Sequence, residues 1–459
     1  MLVGIKLHAN PTPEQKKVLS QWMGCARLIW NAKVDEERYH RTFANKYYPI
    51  GTYAPIDKKA AHFKSKELTP WLYDCPSQII RNSATNWCNT YYDFMKGLCG
   101  RPKRKSKLDR GSIHLTRELF RFEHCSDGNI RLFIGSKTNN IGYLSFKKHA
   151  NFNTPRSIYI RKERGRYSIS FCYEDGFDAA GLKTNQQHLD YLRDESDEYL
   201  EQNTIGIDRG VAIPVQAGEK SFDFSEGQKK NLSKSERYIK RLQRRLSRQT
   251  KGSNHRNETK SKLSKSHAKK ANIRNDFAHQ TSRAIVDGKE TVIVLEDLKT
   301  SNMTRRPAPQ QNEAGQYLPN HASQKAGLNQ TILNVGWHQI EVCISYKAHK
   351  EGKAVFKVAP HSTSQECAQC GYTHPDNRKT QSKFQCGQCE HADNADQNAS
   401  MVIKKRAIRL IKDTGTVLSE KGVLMPFSDI GRGGKRQTNK AQSNVSRIQR
   451  SVKKEKIAA

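Results

Sequence analysis

The sequence predicts an α+β protein of several domains, and three features carry that prediction. Leu2 to Leu7 alternates as a short strand and runs into a helical segment. Residues 112 to 173 break into short alternating runs separated by Gly, Asn and Asp turns. From Thr204 onward strands alternate with long helices, the pattern of an α/β layer with a largely parallel core. At 459 residues the chain can close roughly two to four modest cores.

In the first half, Pro11-Thr-Pro-Glu-Gln15 opens a helix whose apolar residues Val18, Leu19, Trp22, Cys25, Leu28 and Ile29 recur at helical spacing. A second helix is predicted from Ser77 to Leu98, with Ile79, Ile80, Ala84, Trp87, Tyr91 and Phe94 on one side. It ends at Gly100-Arg-Pro-Lys-Arg-Lys-Ser-Lys107, where Gly and Pro break the helix and cations gather. Arg101, Lys103, Arg104 and Lys105 are candidate phosphate contacts, because the run lies between ordered segments. Ile130 to Ile134, Ile158 to Ile160 and Tyr167 to Tyr173 read as strands of a small β-domain. Residues 174 to 203 are acidic and polar, and read as a linker or a joining helix.

In the second half, Thr204 to Gln216 reads as two strands with a turn between them. A basic amphipathic region runs from Lys229 to Asp287, and a buried-type strand from Thr291 to Leu295 ends in Glu296-Asp297. A polar loop (301 to 324), a helix from Leu328 to Lys350 and the strand Ala354 to Val358 follow. Beyond Gly415 the chain is polar and basic, with disorder or ordering by a partner as the expectation.

The charge names the partner class. With 80 Lys+Arg against 45 Asp+Glu, the formal net charge is +35, and a surface this cationic binds phosphate backbones through counterion release. A membrane-surface protein is the weaker reading, since no long apolar helix face accompanies the charge. The apolar runs fall far short of the roughly 20 residues that span a bilayer, and the N-terminus lacks a signal-peptide core. A cytosolic, reducing location is therefore expected.

Of the 11 cysteines, four form Cys367-Ala-Gln-Cys370 and Cys386-Gly-Gln-Cys389, which enclose the 15 residues 371 to 385. Two tight CxxC turns directing four thiolates at one point make a closed tetrahedral zinc shell, with no open position for water and so a structural role. His374 and His391 lie nearby, but four thiolates already complete the shell. Three acidic residues stand where an α/β sheet delivers side chains to a site. Asp208 closes the first strand of the second half, Glu296 closes the buried strand, and Asp396 opens the helix after the zinc pairs. Carboxylates gathered in a basic protein repel one another and phosphate unless divalent metals neutralise them. Two Mg²⁺ ions held by the three would orient a water on one side of a phosphodiester and stabilise the leaving oxygen on the other. Asp297 and Asp393 are directed away. No two histidines stand at i, i+2, and no Gly-rich phosphate loop followed by Lys-Ser/Thr occurs.

In this order the motifs resemble the TnpB (OrfB) transposon-encoded RNA-guided endonucleases, relatives of the type V CRISPR effectors. Leu7 to Gln15 with Gly24 to Asn31 resembles that family's opening strand and helix. Gly206-Ile-Asp-Arg-Gly210 resembles its first RuvC motif and Val294-Leu-Glu-Asp-Leu298 its second. Gly327-Leu-Asn-Gln, Gly336-Trp-His-Gln and Tyr346-Lys347 resemble the helix after its lid loop. Ser362 to Cys367, the second cysteine pair and Ala395-Asp-Gln-Asn-Ala399 resemble its zinc ribbon and third RuvC motif. The resemblance implies a β-barrel wedge domain (1–12 and 108–185) with an inserted helical recognition lobe (13–107). It further implies a RuvC-like RNase H nuclease domain (204–360 and 393–414) and an inserted zinc ribbon (361–392), while the acidic linker (186–203) and the disordered basic tail (415–459) are read from composition, the tail having no counterpart in that family.

It also implies an enzyme carrying a guide RNA transcribed from its own locus, monomeric with that RNA, cutting double-stranded DNA beside a short flanking motif. Asp208, Glu296 and Asp396 map onto the catalytic trio. A prokaryotic, nucleoid-associated location follows from the same resemblance. The alternatives are a catalytically silent RNA-guided repressor and a DNA-joining transposase.

Overall fold

The computed structural model describes residues 2–44, 56–106, 110–124, 130–177 and 181–427. These form two compact units that divide between Ala179 and Ala180. Among the described residues no helix is long and apolar enough to cross a membrane.

The first unit is a sheet with two helices. Strand β1 (Leu2–Ala9) leads into helix α1 (Pro13–Tyr39), then α2 (Ser77–Met95). Strands β2 (Arg110–Thr116), β3 (Phe120–His124), β4 (Ile130–Gly135), β5 (Asn140–Leu144), β6 (Phe146–Lys147), β7 (Ser157–Glu163) and β8 (Arg166–Glu174) follow. Thr12 caps α1: its hydroxyl accepts the Gln15 backbone N–H, and the Gln15 side-chain Oε1 accepts the Thr12 N–H. The Gln15 amide also donates to the Ile141 and Tyr143 carbonyls, both at 2.9 Å, so the cap fastens the helix to β5. Leu19, Trp22, Met23, Ala26 and Ile29 form the buried stripe that packs on the sheet.

β1 pairs antiparallel with β8 along its whole length, and β7 turns into β8 through Arg164 and Gly165. Both residues have positive φ (54° and 75°), as a two-residue hairpin with the twist of its strands requires. The expected barrel is not found. The five strands order as β2-β7-β8-β1-β6, β3-β4-β5 form a separate sheet, and no described pairing joins β2 to β6.

The second unit begins with the acidic stretch expected as a linker or a joining helix, and of the two the structure has helices: residues 185–203 form α3 (Asn185–Asp194) and α4 (Asp197–Asn203), capped by Thr184 and Ser196. Their acidic faces meet solvent, while Leu189, Leu192 and Leu200 are buried in a core with Ile403, Ala407 and Ile411. Strands β9 (Thr204–Asp208), β10 (Val215–Ala217) and β11 (Lys220–Phe222) precede two long helices, α5 (Glu226–Arg248) and α6 (Asn254–Val286). Next come β12 (Val292–Glu296), the short helix α7 (Thr300–Met303), a small hairpin of β13 (Gln310–Gln311) and β14 (Tyr317–Leu318), α8 (Ala322–Val335) and α9 (Trp337–Lys350). The single helix expected from Leu328 to Lys350 is broken at Gly336, whose φ of +81° ends α8 and starts α9. β15 (Ala354–Val358), β16 (Lys383–Gln385), β17 (Ala392–Asn394) and α10 (Ala395–Lys412) complete the frame. Residues 416–426, expected in a disordered tail, form the hairpin of β18 (Thr416–Leu418) and β19 (Leu424–Pro426), with Leu424 buried beside α10. The tail beyond 427 lies outside the described residues.

The main sheet orders as β11-β10-β9-β12-β15. β9, β12 and β15 run parallel, and β10 and β11 are antiparallel additions. Parity sorts its faces. Ile207, Ile293, Leu295 and Val355 pack with α6 and α9, whereas Val292, Val294, Phe356 and Val358 pack with α10. Gly206 shares the parity of the α10 face. A Cβ there would lie 2.1 Å from the Ser400 carbonyl oxygen and 2.7 Å from the Lys404 nitrogen, so α10 rests directly on the β9 backbone. Ser400 locks this contact by donating to the Gly206 carbonyl and accepting the Gly218 N–H, both at 2.8 Å.

Gly206→Ala is therefore expected to push α10 off β9 and destabilise the second unit by about 1–3 kcal/mol or more, read as a lower midpoint in thermal unfolding. An unchanged midpoint would show that the two elements tolerate separation.

Candidate active site and metal centre

Register brings two of the three carboxylates together. Leu295 pairs with Ile207 across the parallel strands β12 and β9, which sets Glu296 level with Asp208 on the neighbouring strand. Both share the parity of Gly206 and Val294, so both stand on the α10 face. Asp396 arrives in the first turn of α10. Asn394 caps that helix, its side-chain oxygen accepting the Asp396 N–H at 2.9 Å.

The electrostatics of the trio are those of crowded anions. Burial, then the charges of Glu296 and Asp396, push Asp208 up to about 7 from its ordinary 3.8. Burial also raises Glu296, which is 5% exposed; the Thr363 hydroxyl opposes this by donating to Glu296 Oε1 at 2.6 Å. Burial raises Asp396 too, opposed by Arg378, whose Nη2 lies 3.6 Å from Asp396 Oδ1. Three hard oxygen donors that disfavour their own charged forms are of the kind a divalent cation takes, which would relieve both the burial and the repulsion, although their oxygens do not converge as tightly as the cysteine sulfurs do.

The four cysteines converge as the spacing required. Among the described residues they are the group whose candidate ligand atoms all lie within 4.8 Å of one another. Cys367 and Cys389 sulfurs are 3.6 Å apart, as are those of Cys370 and Cys386. A tetrahedral shell with Zn–S bonds of about 2.3 Å would place its sulfurs about 3.8 Å apart. The Gln388 and Cys389 N–H groups donate to Cys386 Sγ, the arrangement that favours thiolate. Neither His374 nor His391 enters the cluster. Asn377, 1% exposed, ties the ribbon together: its amide donates to the Gln365 and Tyr372 carbonyls, and its oxygen accepts the Gly387 N–H.

Four residues near the carboxylates received no role from the sequence. Arg378 sits between the cysteine pairs, too far along the chain from Asp396 for a local pattern to join them. Thr363 and Arg209 lie within the quoted motifs, but only the fold reveals what they touch. Glu366 is buried between Arg406 and Arg409 and fastens the approach to the ribbon onto α10. Asp297 accepts an ion pair from Lys299 at 4.0 Å, and Asp393 accepts the Asn394 N–H.

The cations expected to meet phosphate divide in two groups. Arg101 pairs with Glu37 at 2.7 Å and Arg104 with Asp35 at 3.0 Å, while the Lys105 ammonium sits 3.4 Å over the Trp30 ring and burial lowers its pKa to about 8. The Lys103 carbonyl accepts the Trp30 indole N–H. This loop is stapled to α1, and Lys107 lies outside the described residues. Beside it, Lys105, Arg110 and Arg161 line a cavity of about 480 Å³ with the stacked pair His114 and Tyr159. On α5, Arg237, Lys240, Arg241, Arg244, Arg245 and Arg248 line one groove, and none has a carboxylate partner among the described residues.

Comparison with known proteins fits this arrangement. The family model for the OrfB "Probable transposase" matches residues 187–306, its companion "Helix-turn-helix domain" residues 1–41, and the "Cas12f1-like, TNB domain" residues 337–403. The chain is similar to the OrfB family over these segments. Its relatives include an Escherichia coli (strain K12) protein named "Putative RNA-guided DNA endonuclease InsQ", 28% identical over 87% of this chain and 90% of the relative. A Streptomyces pristinaespiralis protein named "Putative RNA-guided DNA endonuclease" is 22% identical over 80% of each chain. Among solved structures, "Cryo-EM structure of the Cas12f1-sgRNA-target DNA complex" shares the fold, with a TM-score of 0.51 and 14% identity over 86% of this chain and 83% of that one. In this chain residues 2–39 form a strand and one 27-residue helix rather than a helix-turn-helix pair.

Two outcomes follow. A carboxylate whose pKa rises on folding binds its proton more tightly in the folded state, so stability is greatest below the unfolded pKa and falls as pH rises toward the folded one. In buffer without Mg²⁺, the second unit should lose of order a few kcal/mol between about pH 4 and pH 7 on account of Asp208. Asp208→Asn should flatten that slope in urea titrations, and a native slope in the variant would contradict the assignment. Separately, Cys386→Ser should lower bound zinc, measured by atomic absorption, and expose ribbon amides to hydrogen exchange. Full zinc content in the variant would refute the four-thiolate shell.

Proposed function

We propose that the protein is a transposon-encoded, RNA-guided DNA endonuclease that hydrolyses phosphodiester bonds with Asp208, Glu296 and Asp396 in a RuvC-like domain. The observation that carries this reading is the set of three buried or half-buried carboxylates on one face of the sheet, with Asp208 pushed to about 7. Such a cluster is costly in a folded protein unless a cation belongs there. The names of the relatives support the same reading.

In this mechanism Asp208 and Glu296, from adjacent strands, and Asp396, from α10, would hold two Mg²⁺ ions, which when bound would supply Lewis acidity at the phosphate and lower the pKa of a bound water. The residues do the positioning. Thr363 fixes the Glu296 carboxylate in one orientation. Arg378 sits at Asp396, placed to meet a phosphate oxygen as negative charge grows there. The four cysteines of the ribbon would hold one structural zinc ion, and the ribbon carries Arg378 and leads into the start of α10. Guide RNA and target DNA take up the cationic surfaces: the α5 groove and the basic cavity beside α2.

The test uses the protein purified with RNA from its own locus and a matching double-stranded DNA. In Mg²⁺ the native chain should cut, and Asp208→Ala should cut at least about 10³-fold more slowly while binding RNA and target as well as the native chain. If Asp208→Ala cuts as fast as the native chain, the assignment fails.

A further inference from the structure

Behind the carboxylates lies a buried ion network that the hydrolytic reading leaves unused. Arg209 follows Asp208 at the end of β9, and its side chain is 1% exposed. Successive residues of a strand point to opposite faces, so the guanidinium lies on the α9 side of the sheet, away from the trio. Its Nη2 donates to the backbone carbonyl of Glu296. Its Nη1 donates to Glu341 Oε2 at 2.9 Å and to the Trp337 carbonyl at 3.4 Å. The other Glu341 oxygen meets Lys357 Nζ at 2.5 Å. Trp337 closes the circuit by donating its indole N–H to the Gly210 carbonyl at 3.0 Å. One guanidinium thus joins the ends of β9 and β12 to α9 and, through Glu341, to β15.

Stability alone is a poor reason for such a network. A buried ion pair is often no better than apolar residues of the same volume, because desolvation offsets its attraction. What the network provides is geometry. A planar fork with fixed angles sets the distance between its acceptors, and an ammonium group on a flexible stem cannot. It also holds two cations against one anion, leaving a net positive charge beneath Glu296.

We propose that Arg209 is a positioning residue that fixes the Glu296 backbone relative to Asp208. It thereby sets the spacing at which the two carboxylates take up divalent cations, without touching cation or substrate. The proposal deepens the endonuclease reading and rests on it for its role in cutting, but its effect on cation binding can be read without any cutting.

The experiment compares the native chain, Arg209→Lys and the double variant Arg209→Met with Glu341→Leu, each as full chain with its RNA. Single-turnover cleavage is measured across Mg²⁺ concentrations, Mn²⁺ binding by calorimetry without DNA, target binding in Ca²⁺, and thermal unfolding. The double variant replaces the ion pair with apolar groups and should keep the fold. Both variants should bind target DNA as the native chain does and need about tenfold more Mg²⁺ for half-maximal cutting. At saturating Mg²⁺ they should cut about 10²-fold more slowly, the scale expected when reacting groups shift by about 1 Å.

Native cutting with native Mg²⁺ dependence in the double variant would overturn the proposal. So would unfolding of both variants, which would make Arg209 a stability residue only. If the native chain itself does not cut, the endonuclease reading fails, and the Mn²⁺ isotherms still decide. Weaker binding in both variants would support the positioning role, and native-like binding would overturn it.

Discussion

Everything in the second unit depends on one missing side chain. Because Gly206 carries no Cβ, α10 lies on the β9 backbone instead of a side-chain layer away. That close approach brings the first turn of α10, and so Asp396, to the strand end where Asp208 stands. Ser400 then converts a steric permission into a fixed position by bonding both β9 and the turn after β10. Parallel register supplies Glu296 from the next strand. The sheet itself is ordinary in construction; its use comes from which parity carries acid and which carries the aliphatic core.

The molecule also separates holding from positioning. The groove-lining cations of α5, from Arg237 to Arg248, lie on an exposed helix face with no carboxylate partner among the described residues, which suits a partner of high charge and low sequence specificity. Around the carboxylates almost every charged group is engaged: Arg209 with Glu341, Arg406 and Arg409 with Glu366, Arg378 with Asp396. Unpaired charge gathers along α5, and paired charge fixes the groups near the carboxylates.

Much of the carboxylate placement was legible in the sequence, because strand ends and helix starts have local signatures. Asp208 and Glu296 follow short apolar strands, and Asp396 follows an Asn cap. The cysteine cluster was legible from spacing alone. The rest was hidden for nonlocal reasons. The acidic stretch 186–203, read as a linker or a joining helix, holds two helices, which its plentiful charge masks because its buried residues are only Leu189, Leu192 and Leu200. The helix break at Gly336 needed the positive φ that the structure gives it. The N-terminal strands do not close a barrel, and closure is a property of pairing order that no strand's own composition records. The roles of Thr363, Arg209 and Arg378 depend on contacts 67, 87 and 18 residues away along the chain, beyond any local pattern.

The contact between Gly206 and Ser400 joins positions 194 residues apart. The central strand of the sheet leaves the ribosome long before the helix that covers it, and the loop-closure cost of that pairing is met only when α10 has been made. During synthesis the nascent chain already displays the cationic α5 while Asp208 and Glu296 still lack Asp396. A growing polypeptide of this kind presents its cationic helix before its third carboxylate exists.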